Sequence, residues 1–367
     1  MKSISGDRVF FLVVVILVVG GLALFASAAL GLLARVDASP GRLALTQLLF
    51  GLIPGSIALL FFRFVSPQTV VRLAPIIYGL TLIATVLVFT PLGETLNGAR
   101  RWIDIGFTTV QPSEFLKIGV VLMLAWHLAR MKGQLHDMRN GLLPFLLVLG
   151  IPCALLLAQP NTSTVIVLVL TGTTMYFLAG APWRDLGILV GVALIVFTIL
   201  VSFRPYVLER VKTFMDPSRD PLASGYQVQQ SLIAIGSGGF AGRGFGQSVQ
   251  KFNYLPEPQG DSIFAVYGEE FGFVGTVLIV LLFTAFAARG LAIAADASTL
   301  FGSLAASGLT LMITISAFLN IGAMLAIVPL TGLPLPFISH GGTALLAALA
   351  AVGIILNVAA HRKRKST

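Results

Sequence analysis

Apolar residues run along this chain in unbroken stretches of about 18 or more, each long enough to cross the roughly 30 Å hydrocarbon core of a bilayer. Short segments in which charge, Pro and Gly gather separate these stretches. The breaks predict ten helices, near residues 9–34, 43–62, 72–90, 114–131, 142–158, 162–180, 184–201, 263–289, 299–326 and 340–361. Because the runs are continuously apolar and do not alternate with period two, they specify a helical bundle and not a β-barrel. One long polar stretch remains, about 202–262, too long to be a mere connector. Its centre, Gly225-Tyr-Gln-Val-Gln-Gln-Ser-Leu-Ile-Ala-Ile235, has the pattern of a short amphipathic helix suited to the outer membrane interface. No repeat of 20 to 50 residues is visible and neither half mirrors the other, which argues against a transporter built from inverted repeats. The expectation is an all-α polytopic membrane protein. It forms one transmembrane domain over 1–367, with a long extracytoplasmic loop between helices 7 and 8 and a basic tail at 361–367.

Composition sharpens this reading. Of the 367 residues 56% are hydrophobic and 11% charged, where a soluble domain carries roughly twice that charged share. An even number of crossings puts both termini on one side. With the termini cytoplasmic, the inner segments hold Lys2, Arg8, Arg63, Arg72, Arg130, Lys132, Arg139, Arg184, Arg289 and the tail Arg362-Lys-Arg-Lys365. The short outer loops hold Arg35, Arg42, Arg100 and Arg101, and the positive-inside rule selects this orientation. The net charge of +9 is therefore assigned to cytoplasmic loops and lipid headgroups, not to nucleic acid. The N-terminal MKSISGDR runs into an apolar segment with no A-x-A-like cleavage site before a soluble domain, as expected of a retained first helix. The one cysteine, Cys153, can form no internal disulfide and reads as a small hydrophobe.

Ionisable residues at membrane depth are costly and default to functional candidates facing the bundle interior. Glu114 and Lys117, three residues apart, share one face at the outer end of the fourth helix. The segment YLPEPQGDSIFAVYGEEFGFVG, residues 254–275, puts Asp261 at the outer rim, with Glu269 and Glu270 about 12 and 13.5 Å further along the eighth helix. At 100° per residue Glu269 lies roughly 80° around from Asp261 and Glu270 roughly opposite, so the two glutamates are expected to have different partners. Two readings stand: acids that serve chemistry in a cavity, or internal ion pairs that fix helix packing.

The glycine-rich run GSGGFAGRGFG, residues 236–246, lacks the G-x-x-x-x-G-K-[ST] pattern and the strand-to-helix setting of a nucleotide loop. It reads either as backbone free to approach a lipid-linked phosphate or sugar, with Arg243 or Lys251 supplying charge, or as an ordinary flexible loop. The loop PLTGLPLPFISHGGT, residues 329–343, is expected to fold back into the bundle, as a re-entrant turn or as a wall of an outward cavity. None of His127, His136, His340 and His361 stands in a metal-ligand spacing, so a structural zinc site is not expected. A divalent cation held by an outward carboxylate and substrate phosphates leaves no motif.

The ten-helix pattern, Asn97-Gly-Ala-Arg-Arg-Trp-Ile103, Gln111-Pro-Ser-Glu-Phe-Leu-Lys117, YLPEPQGDSIFAVYGEEFGFVG and GLPLPFISHGGTALL together closely resemble the SEDS (shape, elongation, division, sporulation) proteins, FtsW and RodA. The resemblance runs in order over essentially the whole chain. It implies a peptidoglycan glycosyltransferase that polymerises lipid II into glycan strands at the outer face of the bacterial cytoplasmic membrane. A class B penicillin-binding protein would crosslink the product. It also implies that Asp261, the Asp of the family's Pro-Glu-x-x-x-Asp segment, is the essential acid. As general base it would take the proton from the 4-hydroxyl of the lipid II GlcNAc, which attacks C1 of the growing chain's lipid-linked MurNAc with inversion. Around it the expected substrate and cavity residues are Glu114, Lys117, Arg101, Gln111, Arg243, Lys251, Glu257, Ser339 and His340, with Glu269 and Glu270 as structural ion pairs. The leaving undecaprenyl pyrophosphate needs positive charge, from Lys117, Arg243, Lys251 or a divalent cation, Mg or Mn, carried with the pyrophosphate; no metal ligands are assigned in the chain.

The sequence departs from the family at Gln159-Pro-Asn-Thr-Ser-Thr164, where Q-P-D-x-G-T is usual, so a carboxylate is lost at Asn161 and a glycine at Ser163. His340 stands in place of the usual Tyr, and Gly260 and Ser262 flank Asp261 where His-Thr-Asp-Phe is common. The GDSIFAV form and the Arg-Trp segment lean towards FtsW. Two rival functions differ in class. A lipid II flippase calls for Glu269, Glu270 and Lys117 along a path through the bundle, whereas a polymerase calls for a cavity open only outward. A non-catalytic scaffold for the crosslinking partner has no need of Asp261.

Overall fold

The computed structural model describes residues 7–31, 40–96, 98–106, 108–216, 224–252 and 254–362; Lys2, Arg35, Asn97 and the run from Lys363 to Lys365 lie outside them. Helix α1 (Arg8–Leu30) starts at Asp7, whose carboxylate accepts the Phe10 N–H at 2.9 Å. It is followed by α2 (Leu43–Phe64) and α3 (Pro67–Leu87). The last begins earlier than hydrophobicity alone predicts, because Ser66 caps it and Pro67 occupies the first turn. Three short antiparallel strands follow, β1 (Gly93–Leu96), β2 (Ala99–Asp104) and β3 (Thr109–Val110), in the order β1-β2-β3. This small sheet is an addition to the all-α expectation; a reading tuned to long apolar runs passes over strands this short.

The chain continues through α4 (Pro112–Arg130), α5 (Met138–Ala158), α6 (Thr162–Leu178) and α7 (Trp183–Phe203). The long polar stretch then forms α8 (Pro205–Met215) and α9 (Ser224–Ser237), followed by α10 (Ile263–Ala295), α11 (Leu300–Met324) and α12 (Gly342–Ala360). Among the described residues nine helices are long and apolar enough to span a bilayer, and α6 is a shorter apolar helix beside them. Together they correspond to the ten predicted helices of a multi-pass membrane protein. Helices α4, α11 and α12 form the centre, while α7 buries only Asp185 and Leu189 and leaves its other faces to lipid. Close approach at the centre depends on small residues: a side chain at Gly119 of α4 would meet Thr81 and Tyr78 of α3.

The predicted amphipathic helix exists as α9, yet it is no free interfacial helix. Val228, Ser231 and Ala234 are buried against the bundle, with Ser231 Oγ 3.4 Å from Met324 Sδ. The two ends of the bundle differ in kind. At one, Asp7 accepts from Arg289 at 2.5 Å and Arg362 at 2.6 Å, joining the start of α1 to α10 and to the end of α12. The other carries the sheet, α8, α9, the 329–341 loop and Asp261. Helix α10 has 33 residues, or about 50 Å, and links one end to the other.

That helix is broken in the half nearer Asp261. Gly272 adopts φ 63°, ψ −159°, which only glycine takes at no cost. The backbone groups freed by the break are recovered by the glycine-rich run: Phe273 N–H donates to Gly239 O at 2.9 Å and Val274 N–H to Phe240 O at 3.2 Å. In return Arg243 and Gly244 donate their N–H groups to the carbonyls of Glu269 and Glu270, at 3.0 and 2.9 Å. Irregular backbone at membrane depth is tolerated where protein re-satisfies it. The run is therefore neither a phosphate loop nor a free flexible loop; its glycines let two backbones touch.

Candidate active site

Asp261 lies just before α10, in a segment held from three sides. Glu257 turns the chain with φ 44°, a left-handed conformation costly for any residue but glycine, and its carbonyl accepts from Gly260 N–H at 2.9 Å and Ser262 N–H at 3.3 Å. From α11, Asn320 donates to the Asp261 carbonyl at 2.7 Å and to the Leu333 carbonyl at 2.7 Å, clamping this segment to the 329–341 loop. From that loop Ser339 Oγ donates to Gly260 O at 2.6 Å, and the His340 N–H donates to Gln259 O at 2.8 Å. Ser339 and His340, expected to touch substrate, thus hold the backbone that carries Asp261. The His340 ring stacks on Phe25 at 5.5 Å, and burial pushes its imidazole below the usual histidine value, towards the neutral form.

The Asp261 carboxylate accepts from Gln227 of α9 at 3.2 Å. Burial pushes its pKa up to about 6; the nearby Glu257 charge adds to the rise, while the Gln227 hydrogen bond and the charge of Arg210 oppose it. A carboxylate tuned to that range accepts a proton near neutral pH. Arg210 also donates to Ser163 Oγ at 3.4 Å, and Ser163 Oγ donates to the Thr331 carbonyl. Arg101 of β2 donates to the carbonyls of Gln159 and Pro160, the first at 3.2 Å, and feels the like charge of Arg210. Two guanidiniums thus stand on the Asp261 side of the bundle. Asn161, the departure from the family's Asp, donates to Ser113 Oγ at 3.4 Å.

Below the 329–341 loop, Lys117 Nζ meets Glu114 Oε2 at 2.9 Å. Both line a cavity of about 30 Å³ with Ser316, Leu333, Pro334 and Pro336. The loop therefore is a cavity wall, and Leu333 connects that cavity through Asn320 to Asp261. Gln111 is the N-cap residue of α4 and makes no side-chain cap bond.

Arg243 and Lys251 belong to a second cluster. The Glu269 carboxylate accepts from Ser248 Oγ at 2.5 Å and from the N–H groups of Val249 and Gln250, both at 3.1 Å, with Arg243 at 3.2 Å. Glu270 pairs instead with Lys251 at 2.8 Å and Ser27 at 2.6 Å. The two glutamates do have different partners. Lys251, expected to face a leaving phosphate, is fully buried and spends its ammonium on Glu270, Ser27 and the Gly246 carbonyl. The sequence reading did not single out Arg210, Gln227, Asn320 or Ser27. Asn320, a lone amide in an apolar helix, carried a usable signal; Arg210 and Gln227 lie in a polar stretch where nothing distinguishes them.

Among the described residues no three His, Cys, Asp or Glu side chains gather in metal-binding geometry. A family model for FtsW, RodA and SpoVE, described as cell cycle proteins, matches residues 7–364. The chain is 39% identical over 305 residues to the peptidoglycan glycosyltransferase MrdB of Escherichia coli (strain K12), covering 82% of each. It is 36% identical over 355 residues to a probable peptidoglycan glycosyltransferase FtsW of Marinobacter nauticus, covering 96% of this chain and 89% of that protein. Its fold matches a chain from a solved structure described as "Structural coordination of polymerization and crosslinking by a peptidoglycan synthase complex". That match has a TM-score of 0.75 at 31% identity and covers 94% of this chain and 97% of that one.

Proposed function

The chain belongs to the FtsW, RodA and SpoVE family, and from that premise we propose that it is a peptidoglycan glycosyltransferase that polymerises lipid II, with Asp261 as general base. The carrying observation is a carboxylate tuned to about 6, fixed by Gln227 and Asn320 and close enough to Arg210 to feel its charge. The Asp261 carboxylate takes the proton from the GlcNAc 4-hydroxyl of lipid II as that oxygen forms its bond to C1 of the chain's terminal MurNAc. The C1–O bond to pyrophosphate breaks, the anomeric centre inverts, and undecaprenyl pyrophosphate leaves with the electron pair. Arg101 and Arg210 supply positive charge to the departing pyrophosphate, with Lys117 beneath the 329–341 loop. A divalent cation, Mg or Mn, would enter with the pyrophosphate, with the exposed Glu257 carboxylate beside it, and would neutralise phosphate charge.

The charge distribution supports placing the Asp7, Arg289 and Arg362 end in the cytoplasm and the Asp261 end outside. The work is division or elongation, with a class B penicillin-binding protein crosslinking the product. The flippase reading is weaker, since Glu269 spends its carboxylate on loop backbone and Glu270 on Lys251, and neither is left to line a lipid path. A scaffold has no use for a tuned carboxylate. The test is purified protein with lipid II, alone and with its crosslinking partner, read as glycan polymer on a gel, beside a vesicle assay of lipid II movement. Polymer from the folded protein supports the proposal; lipid movement without polymer would overturn it in favour of the flippase.

A further inference from the structure

A buried amide in the second turn of α2 reaches across to the loop that holds the Asp261 segment. Gln47 spends both polar atoms of its side chain on one turn of that loop: Oε1 accepts the Gly341 N–H at 3.0 Å, and Nε2 donates to the Ser339 carbonyl at 3.3 Å. Burying a rotamer-rich amide costs side-chain entropy and hydration, which only such bonds offset. The helix around Gln47 is shaped to deliver it. Gly51 and Gly55 follow at four-residue steps on the same face. A Cβ at Gly51 would come 3.1 Å from Gly342 Cα, and one at Gly55 would come 2.7 Å from a Leu349 methyl. Helix α2 therefore lies closely on the start of α12, which begins directly after the turn that Gln47 holds. Between Gln47 and Ile53 the helix widens into a π-turn, Leu48–Leu52, a form found mostly at functional sites.

The turn from Ser339 to Gly341 faces two ways. Towards α2 it offers the Ser339 carbonyl and the Gly341 N–H. Towards the Asp261 segment it offers the Ser339 hydroxyl, which donates to Gly260 O at 2.6 Å, and the His340 N–H, which donates to Gln259 O at 2.8 Å. The same hydroxyl accepts the Leu335 N–H at 2.8 Å, so its direction is fixed from the loop side as well. Gly260 directly precedes Asp261. We propose that Gln47 is a positioning residue for the transfer reaction: it sets the 339–341 turn and, through Ser339 and His340, the place of the Asp261 carboxylate, without touching substrate. The proposal rests on the reading of Asp261 as the base. A general base acts only within hydrogen-bond reach of the proton it takes, and a small misplacement from a distant change costs rate.

The experiment measures lipid II polymerisation by the full chain, at matched amounts of folded protein. The variants are Gln47→Met, Gln47→Asn, Ser339→Ala and the double variant Gln47→Met with Ser339→Ala. Gln47→Met keeps the volume and removes both bonds; Gln47→Asn keeps an amide one methylene short of the loop and is the milder change to the fold. Both should lower kcat, about tenfold for Gln47→Met, with KM for lipid II held within about twofold. Because Gln47 acts through Ser339, the double variant should fall little below the lower of its two single variants. A packing role alone would lower the unfolding temperature and leave kcat per folded molecule at the parental value. Parental kcat in both Gln47 variants, a rise in KM at constant kcat, or losses that multiply in full in the double variant would overturn the proposal. Asp261→Asn, run alongside, tests the base itself. Parental polymer from it removes the general-base reading and this proposal with it, whereas loss of polymer there beside parental Gln47 variants removes this proposal alone.

Discussion

Lys251 Nζ lies 2.8 Å from Glu270 Oε1, with both side chains wholly removed from solvent. The pair joins the loop before α10 to that helix at the level where it is broken, and Ser27 of α1 bonds both partners, at 3.0 Å to Lys251 and 2.6 Å to Glu270. Glu269 grips the same loop one residue earlier, through Ser248, Val249 and Gln250. The loop that leads to Asp261 is thus anchored by two adjacent carboxylates facing different ways. Charges buried to hold a catalytic segment are positioning groups, and their loss should register first as stability.

Glu270→Gln removes one partner and leaves the Lys251 ammonium buried without a counter-charge, a change that costs about 3–5 kcal/mol. The expected result is a marked drop in unfolding temperature in detergent. The double variant Lys251→Met with Glu270→Met removes both charges and should recover most of that loss. A double variant as unstable as Glu270→Gln would mean that something other than the pair holds the loop.

Gly242 tests the docking of the glycine-rich run. Its φ is +81°, and a Cβ there would run into the Glu270 carbonyl oxygen. Gly242→Ala should therefore destabilise by at least about 1–3 kcal/mol. Gly239→Ala, with positive φ but open space around its Cβ, should cost less, near 1 kcal/mol or about that. Thermal unfolding of the two variants side by side decides; equal effects would show that backbone conformation alone sets the cost.

The long helices were legible because hydrocarbon length and apolar runs set them directly, and the positions of Glu269 and Glu270 along α10 followed from the rise of a helix. The break at Gly272 was not legible: Phe-Gly-Phe inside an apolar run has the composition of continuous helix, and the break shows only once the 236–246 run is seen to supply its missing partners. The same interlock misdirected the reading of Lys251, a cation in a polar loop by sequence but a buried counter-ion in space. The Glu114–Lys117 pair was legible because charge beside apolar runs is rare; the same signal singled out Asp261, whose expected role came from the family resemblance. Arg210 and Gln227 were missed because charge and amides are common in the stretch that carries them.

Asp261→Asn separates chemistry from fold. Removing the base should lower lipid II polymerisation by about 10²-fold or more. The same change deletes a carboxylate that burial disfavours, so the unfolding temperature at neutral pH should rise, not fall. Polymer yield at matched amounts of folded protein, beside a melting curve, gives both readings. Near-parental polymer from this variant would remove Asp261 from the mechanism.

The pH dependence follows from the same carboxylate. As a base Asp261 works only when ionised, so kcat/KM should fall as pH drops through about 6, approaching tenfold per pH unit below it. Stability should run the other way. Its folded value stands above the ordinary 3.8, so the stabilising contribution of the protonated carboxyl is present at low pH and is lost as pH rises through about 6. Two neighbours then move the activity limb in opposite directions. Glu257→Gln deletes a negative charge that raises the Asp261 value, and its limb should shift to lower pH. Arg210→Gln deletes a positive charge that lowers it, and its limb should shift to higher pH while KM for lipid II rises through weaker pyrophosphate binding. Rates from pH 5 to 8 for the parent and the two variants measure this directly. Limbs that coincide in all three would show that the group titrating near 6 is not Asp261.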